Sequence, residues 1–575
     1  MKTGWRRRLA APVWSSLALA LGCASGGSRV TPADLVLRGG KVVTVDQDLP
    51  QAEAVAVSGY RIAAVGTDAQ IVPYVGPQTK VIDLKGRLAI PGFIEGHGHF
   101  TSLGHSKTIL DLTKTRSWSQ IVAMVGEAAK AAAPGHWIRG RGWHQEKWDE
   151  VPTPNVEGVP LHHALSKVSP ENPVSLTHAS GHASIVNAQA LELSGIGART
   201  PDPPGGTIVR DVGGEPTGLL RETAQELVEE AMARAEAARP EEQRQAEFEH
   251  VVALAGKAAL STGVTSFHDA GADFDTIDRF KRLAAAGKLP VRLYVMVRGE
   301  KNQALAQRLP EYRILPEGNA FLAVRSIKRL IDGALGAHGA WLLEPYADLD
   351  TTGLVLEPVA DIEEVAQIAI ENGFQVGTHA IGDRANREVL DIYQRVFAAH
   401  PDKKDLRWRI EHAQHLHPDE VARFAKLGVI AAMQGIHATS DGPWVAKRLG
   451  EARAQSGAYV WRRLIDAGAV VVNGTDCPVE DVDPIASFYA SVTRRMSNGQ
   501  AFYPEQRMSR EEALRSYTLN GAFAAFEEHL KGSLKTGKLA DIVVLSKDIM
   551  TVAEDEIPGA KVDYTIVGGV VRFER

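Results

Sequence analysis

His97 and His99 flank a single glycine in Gly96-His97-Gly98-His99. Side chains at i and i+2 of an extended strand leave the same face, so the two imidazoles can aim at one ion. Glycines on either side leave room for close backbone approach. Four further residues stand at or near the C-terminal ends of apolar runs: Lys328, His379, His412 and Asp476. Imidazole nitrogens and carboxylate oxygens suit Zn²⁺ and similar cations. Buried lysine and aspartate are rare unless paired or bound to metal. Each residue also has a plain structural reading: a loop pair for the two histidines, a packed core histidine for His412, a lysine reaching out from a strand edge for Lys328. Their shared position at run ends favours a common site over separate accidents.

Positioning such a layer requires parallel strands. The runs are "GVTSFHDAG", "VRLYVMVRG", "SIKRLIDGA", "FQVGTHAIGD", "RWRIEHAQ", "VIAAMQGIHAT" and "VVVNGTDCPV", with helical stretches such as "DIEEVAQIAIENG" between them. With the run ending at His97 they make eight. Strand and helix in alternation read as an α/β fold with a parallel sheet, and eight units as a (β/α)8 TIM barrel with its chemistry at the strand C-termini. Residues 33–90 and 532–575 read as short strands with Gly-Gly, Ser-Gly and Lys-Gly breaks, so both ends are expected to build one composite β-sandwich around the barrel of residues 91–531. From His99 to Gly263 the chain is too long for one crossover, and an inserted subdomain at about 110–255 is expected between strands 1 and 2.

The formal net charge of -6, with 44% hydrophobic and 23% charged residues, carries no nucleic-acid footprint. Lys2 and Arg6 to Arg8, the apolar stretch from Leu9 to Leu21, and Ala20-Leu21-Gly22-Cys23 read as an export signal. Residues 1–23 resemble a bacterial lipoprotein signal, with Cys23 the lipidated residue, the only membrane tie, and an outer-membrane anchor facing the periplasm or surface. Ordinary secretion to the periplasm is the alternative. The other cysteine, Cys477, is expected to be a core residue facing away from Asp476; with Cys23 lipidated, no disulfide within one mature chain is left.

"PGFIEGHGH", "KRLIDGALG", "GTHAIGDRAN", "RIEHAQ", "NGTDCPVEDVDP" and "KGSLKTGKLADIVVLSKD" resemble the metal-dependent amidohydrolase superfamily, most of all its amidohydrolase-3 branch of YtcJ-like and N-substituted formamide deformylase-like proteins. The likeness runs from about residue 33 to 575. It implies a divalent metal, Zn²⁺ first, as one or two ions. His97, His99 and Asp476 would hold the first, His379 and His412 the second, and Lys328 would bridge them as its carbamate. A lysine buried near cations has a lowered pKa, which carbamate formation needs. Asp476 would act as general base and then acid. The resemblance also brings His182 and His437 towards substrate and Asp332 behind the bridge, and suggests a homodimer. Arg210 and Asp211 have two readings, contact with substrate and turn-stabilising salt bridges, of which the second is favoured. In place of the branch's Ser-Arg after "DGALG" stands Ala337-His338-Gly339, from which a substrate without an anionic group is expected. The implied activity is hydrolysis of an amide or formamide C–N bond in a small molecule. An ester, lactone or cyclic imide hydrolase, and a non-catalytic ligand- or metal-binding surface lipoprotein, are the competing readings.

Overall fold

The computed structural model describes residues 30–145, 148–178, 183–203, 206–336 and 338–575. At its centre eight parallel strands follow one another in chain order: β1 (Phe93–Gly98), β2 (Val264–Ala272), β3 (Arg292–Val297), β4 (Leu322–Leu330), β5 (Gln375–Ala380), β6 (Arg409–His412), β7 (Ile430–Gln434) and β8 (Val471–Gly474). The ends of this sheet meet. Asp476 N–H donates to His97 C=O and His99 N–H to Cys477 C=O, each at 2.8 Å. Glycine makes that seam close enough. A Cβ on Gly96 would lie 2.4 Å from the Asn473 carbonyl oxygen, and one on Gly474 would lie 2.6 Å from the His97 nitrogen.

Two-residue alternation sorts the side chains. Along β5, Thr378 turns outward to share a 2.8 Å hydrogen bond with Tyr393 of the helix Asp383–Ala399, while Gly377 and His379 face the barrel axis. The outward layer joins the amphipathic helices around the barrel: Phe267, Val295, Val376 and Ile410 pack with Val252, Phe280, Val365, Leu390 and Phe424 in one continuous apolar core. Asp273 caps the helix Phe274–Ala285, and Gly373 and Gly428 end two others in the left-handed conformation glycine adopts without strain.

Strands from both ends of the chain share the flanking sheets. A four-stranded sheet is built from Leu35–Arg38, Ala54–Ser58, Arg61–Gly66 and Lys80–Asp83. It faces a six-stranded sheet in which Leu88–Pro91 runs antiparallel to Ile542–Leu545, and Leu37, Val55, Ile542 and Ile566 fill the space between them. Only Gly92 separates Leu88–Pro91 from β1, so the two sheets and the barrel are joined by one nearly continuous extended segment that delivers His97 to the axis. Between β1 and β2, a six-stranded sheet spanning residues 110–222 carries its own core of Leu112, Ile121, Trp143, Leu165 and Leu176. The helices Glu226–Ala237 and Glu241–Ser261 bring the chain back to the barrel.

Candidate metal centre

His97 is the fifth residue of β1 and points inward, almost wholly buried. The strand ends at Gly98, but His99 keeps an extended backbone (φ −120°, ψ 93°) before the helix Phe100–Ser106, so the i, i+2 relation survives. Asp476 lies two residues beyond β8 with φ 57°, and His412 ends β6 with φ 75°. Both occupy the left-handed region that non-glycine residues rarely adopt, a strain that recurs where function dictates side-chain aim. Asp476 Oδ1 stands 3.2 Å from His99 Nε2 and 3.6 Å from His97 Nε2. One ligand atom from each of His97, His99 and Asp476 falls within 4.8 Å of the others. The remaining residues gather beside them. Lys328 Nζ is 3.3 Å from His97 Nε2, and the His412 ring lies 4.7 Å from that of His97 and 4.5 Å from that of His379, centroid to centroid.

The outer contacts aim these side chains. His97 Nδ1–H donates to the Glu411 carboxylate, which Arg409 grips through Nε at 2.6 Å and Nη2 at 2.9 Å. His412 Nδ1–H donates to Gln434 Oε1 at 2.8 Å. In both rings Nε2 is thereby left to the barrel axis with its lone pair, as a carboxylate or amide behind a metal-ligating histidine does. Arg409 also donates to the Gly96 carbonyl at 2.7 Å and to His268 Nδ1 at 3.0 Å, which ties β6 to β1 and β2.

Electrostatics favours ligation. Burial, reinforced by the Lys328 charge, lowers His97 to about 4 and His379 to about 3. Burial followed by its histidine neighbours lowers His412 as well. These rings are neutral at physiological pH. Burial alone would raise Asp476, but the surrounding imidazoles outweigh it and hold the carboxyl well below its ordinary range. Burial brings Lys328 down to about 8 against the opposing pull of Glu411 and Asp476. Among the described residues, Asp476 Oδ1 and His379 Nε2 are buried without a hydrogen-bond partner. The neutral nitrogens of His97, His379 and His412 and the ionised oxygen of Asp476, gathered at one end of the barrel, suit a divalent cation.

The profile of the Amidohydrolase family matches residues 80–573. This chain belongs to the amidohydrolase family. Protein LONG AFTER FAR-RED 3 of Arabidopsis thaliana is 34% identical to this amidohydrolase over 93% of the chain and 91% of its own length. An N-substituted formamide deformylase of Arthrobacter pascens is 30% identical over 94% and 98%. The crystal structure of an uncharacterized metal-dependent hydrolase from Pyrococcus furiosus superposes with a TM-score of 0.73 at 26% identity, covering 90% of this chain and all of that one (100%). The amidohydrolase is a metal-dependent hydrolase on a TIM barrel.

The other residues singled out from the sequence fall in several places. His437 lies in the first turn of the helix Gly435–Leu449; its ring lies nearly parallel to that of His412 at 6.5 Å, and its buried Nε2 has no hydrogen-bond partner among the described residues. Asp332 is fully buried but meets backbone instead of Lys328: it accepts N–H groups of Trp341, Ile381 and Gly382 at 2.8, 3.0 and 2.8 Å and lies 3.5 Å from His379 Nε2. It staples two mouth loops and backs His379. Arg210 pairs with Asp202 at 2.9 Å and Asp211 accepts two turn N–H groups. Cys477 is buried against Gly98. His338 faces Asp348 at 3.0 Å. His182 and Cys23 lie outside the described residues. Arg409, Glu411 and Gln434 were not anticipated. A signal was there for two of them: Arg409 and Glu411 stand on either side of Ile410 in one strand, which is the spacing of a buried pair on one face.

Proposed function

We propose that this amidohydrolase cleaves the C–N bond of a small N-acyl amine, with an N-formyl amine as the first candidate, releasing a carboxylic acid and an amine. The observation that carries the reading is the convergence of His97, His99 and Asp476 on one point of the barrel mouth. The name of the Arthrobacter pascens relative, an N-substituted formamide deformylase, supports the choice of bond. His97, His99 and Asp476 would hold one divalent cation, Zn²⁺ by donor type, with His379, His412 and a carbamylated Lys328 available for a second. When bound, such a cation lowers the pKa of water towards about 7 and polarises a carbonyl oxygen.

The chain's own groups do the rest. The carboxylate of Asp476, kept ionised by the imidazoles around it, accepts a proton from the attacking water and returns it to the departing nitrogen, general base and then general acid. Glu411 and Gln434 keep the His97 and His412 rings in register with the axis. His437 stands across the His412 ring with a buried nitrogen that has no partner among the described residues, placed to hydrogen-bond the substrate oxygen. The test is turnover of N-formyl and N-acyl amines before chelation, after it, and after Zn²⁺ is restored. Loss and recovery are expected, and Asp476→Asn should lose roughly 10²–10⁴-fold in kcat. Undiminished turnover in excess chelator would end the reading. Esters, lactones and cyclic imides in the same assay separate the alternative bond types.

We also propose export, with lipid on Cys23. Cys23→Ala should move the protein from the membrane to the soluble fraction; an unchanged distribution would exclude the anchor.

A further inference from the structure

Arg298 follows β3 directly, at the barrel mouth, and its guanidinium bonds to no acidic or carbonyl group among the described residues. Its neighbour in space, Arg329, is occupied: Nη2 donates to the Glu300 carbonyl at 3.1 Å and to Asn302 at 2.7 Å. Arg298 is also held in place. Its stem lies across Gly271, where a Cβ would come within 2.4 Å of Arg298 Cδ and 2.6 Å of its Cβ. Gly271 sits two residues beyond Asp269 on β2, and Asp269 reaches inward to accept the Phe100 N–H at 3.1 Å, next to His99. The glycine therefore opens a channel for the arginine stem above the β2 side of the metal centre. Arg298 is close enough for its field to act on Asp269, Lys328 and His379. Arg298 and Arg329 both line a cleft of about 620 Å³. Of the four carboxylates lining it, three have partners: Glu357 takes the Leu330 N–H at 3.0 Å, Glu364 takes Asn302 at 2.6 Å and Glu300 takes the Phe274 N–H at 3.0 Å; the fourth, Asp361, makes no hydrogen bond to Arg298.

A half-buried guanidinium presents parallel N–H donors that match a carboxylate in a two-point contact, and it is costly to desolvate without an anion. We infer that Arg298 binds a carboxylate of the substrate, so that the amides cleaved here carry a carboxylate on their amine or acyl portion. The inference rests on the hydrolase reading above and adds the substrate class. It reverses the expectation drawn from His338: that imidazole is taken up by Asp348, and the fixed charge enters from β3 instead.

The test uses matched pairs that differ only in the carboxylate: N-formylphenylalanine against N-formyl-2-phenylethylamine, and N-succinylbenzylamine against N-butanoylbenzylamine. Purified metal-loaded enzyme should prefer the charged member of at least one pair by roughly 30-fold or more in kcat/KM, the size of a lost buried charge contact. The preference should lie in KM, as a ground-state contact does. In Arg298→Gln the ratio should collapse towards one, and Arg298→Lys should restore part of it. Calorimetric binding of 3-phenylpropanoate, which has no amide, is measured in parallel and should be weakened in Arg298→Gln. Equal turnover of both members in wild type, or a ratio unchanged in Arg298→Gln, overturns the inference and leaves the hydrolase reading standing. Arg298-dependent binding of 3-phenylpropanoate without chelator-sensitive turnover of any amide supports the carboxylate site and removes the hydrolase reading. Absence of both turnover and binding removes both.

Discussion

Glu411 does for His97 what an imidazole cannot do for itself. An imidazole free to rotate would present either nitrogen; a carboxylate on Nδ1, itself clamped by Arg409, leaves Nε2 facing the axis. Burial would push the Glu411 carboxyl up, but Arg409, His97 and Lys328 hold it ionised. Replacing it by the isosteric glutamine keeps the shape and removes the charge. Glu411→Gln is expected to weaken metal affinity by roughly 10–100-fold, measured by competition with a chelating dye, while the folded secondary structure remains. Lys328 gives a pH prediction. A carbamate forms only on the neutral amine, and the neutral fraction rises as pH rises through the folded value, about 8 here in place of 10.5. Metal-free protein given Zn²⁺ and bicarbonate should recover more activity at a pH above about 8 than below it. Lys328→Met should show no bicarbonate response. A recovery that falls with rising pH would remove the carbamate.

The glycines of β1 and β8 act on strand geometry. Gly96 and Gly474 let the two edge strands of the barrel approach until backbone meets backbone. A methyl group on Gly96 has nowhere to go, since the Asn473 carbonyl and the Val472 side chain each stand 2.4 Å from it. Gly96→Ala should cost about 1–3 kcal/mol in urea unfolding. It should also lower metal affinity, because the seam carries His97 and Asp476 on adjacent hydrogen-bonded residues. The two histidines around Gly98 thus answer to two demands, closure of the sheet and, in the proposed metal site, ligand spacing. Destabilisation without any change in metal affinity would show that the seam and the site are independent.

The barrel and the flanking sheets are locked by a buried ion pair. Arg292 at the start of β3 meets Asp541, just before Ile542–Leu545, through Nε at 2.8 Å and Nη2 at 3.1 Å, with both side chains under 5% exposed (3% and 4%). Asp541 also accepts the Gly568 N–H at 2.8 Å. Taking one member away leaves the other charge buried and unpaired. Asp541→Ala should therefore lose roughly 3–5 kcal/mol, seen as a lower midpoint of a single thermal transition. Two separated transitions in wild type would show that the sheets and the barrel fold independently.

Local pattern carried much of this molecule. Alternating apolar runs, glycine breaks and helical periods specify the strands and helices, because each depends on neighbours a few positions away. The residues that end those runs mark the mouth, since parallel strands of one barrel must deliver their C-termini to one rim. The tertiary structure decided what no local window holds. Glu411 lies 314 positions from His97, so their bond exists only once β1 and β6 share an interior. Asp332 follows Lys328 by four residues yet serves the backbone at 381 and 382, because β4 has ended and its chain has turned across the mouth. Proton loss too depends on burial among assembled charges: a lysine in an isolated strand stays protonated at neutral pH and a histidine only partly loses its proton, and the dry, crowded axis of the closed barrel pushes both towards the neutral form.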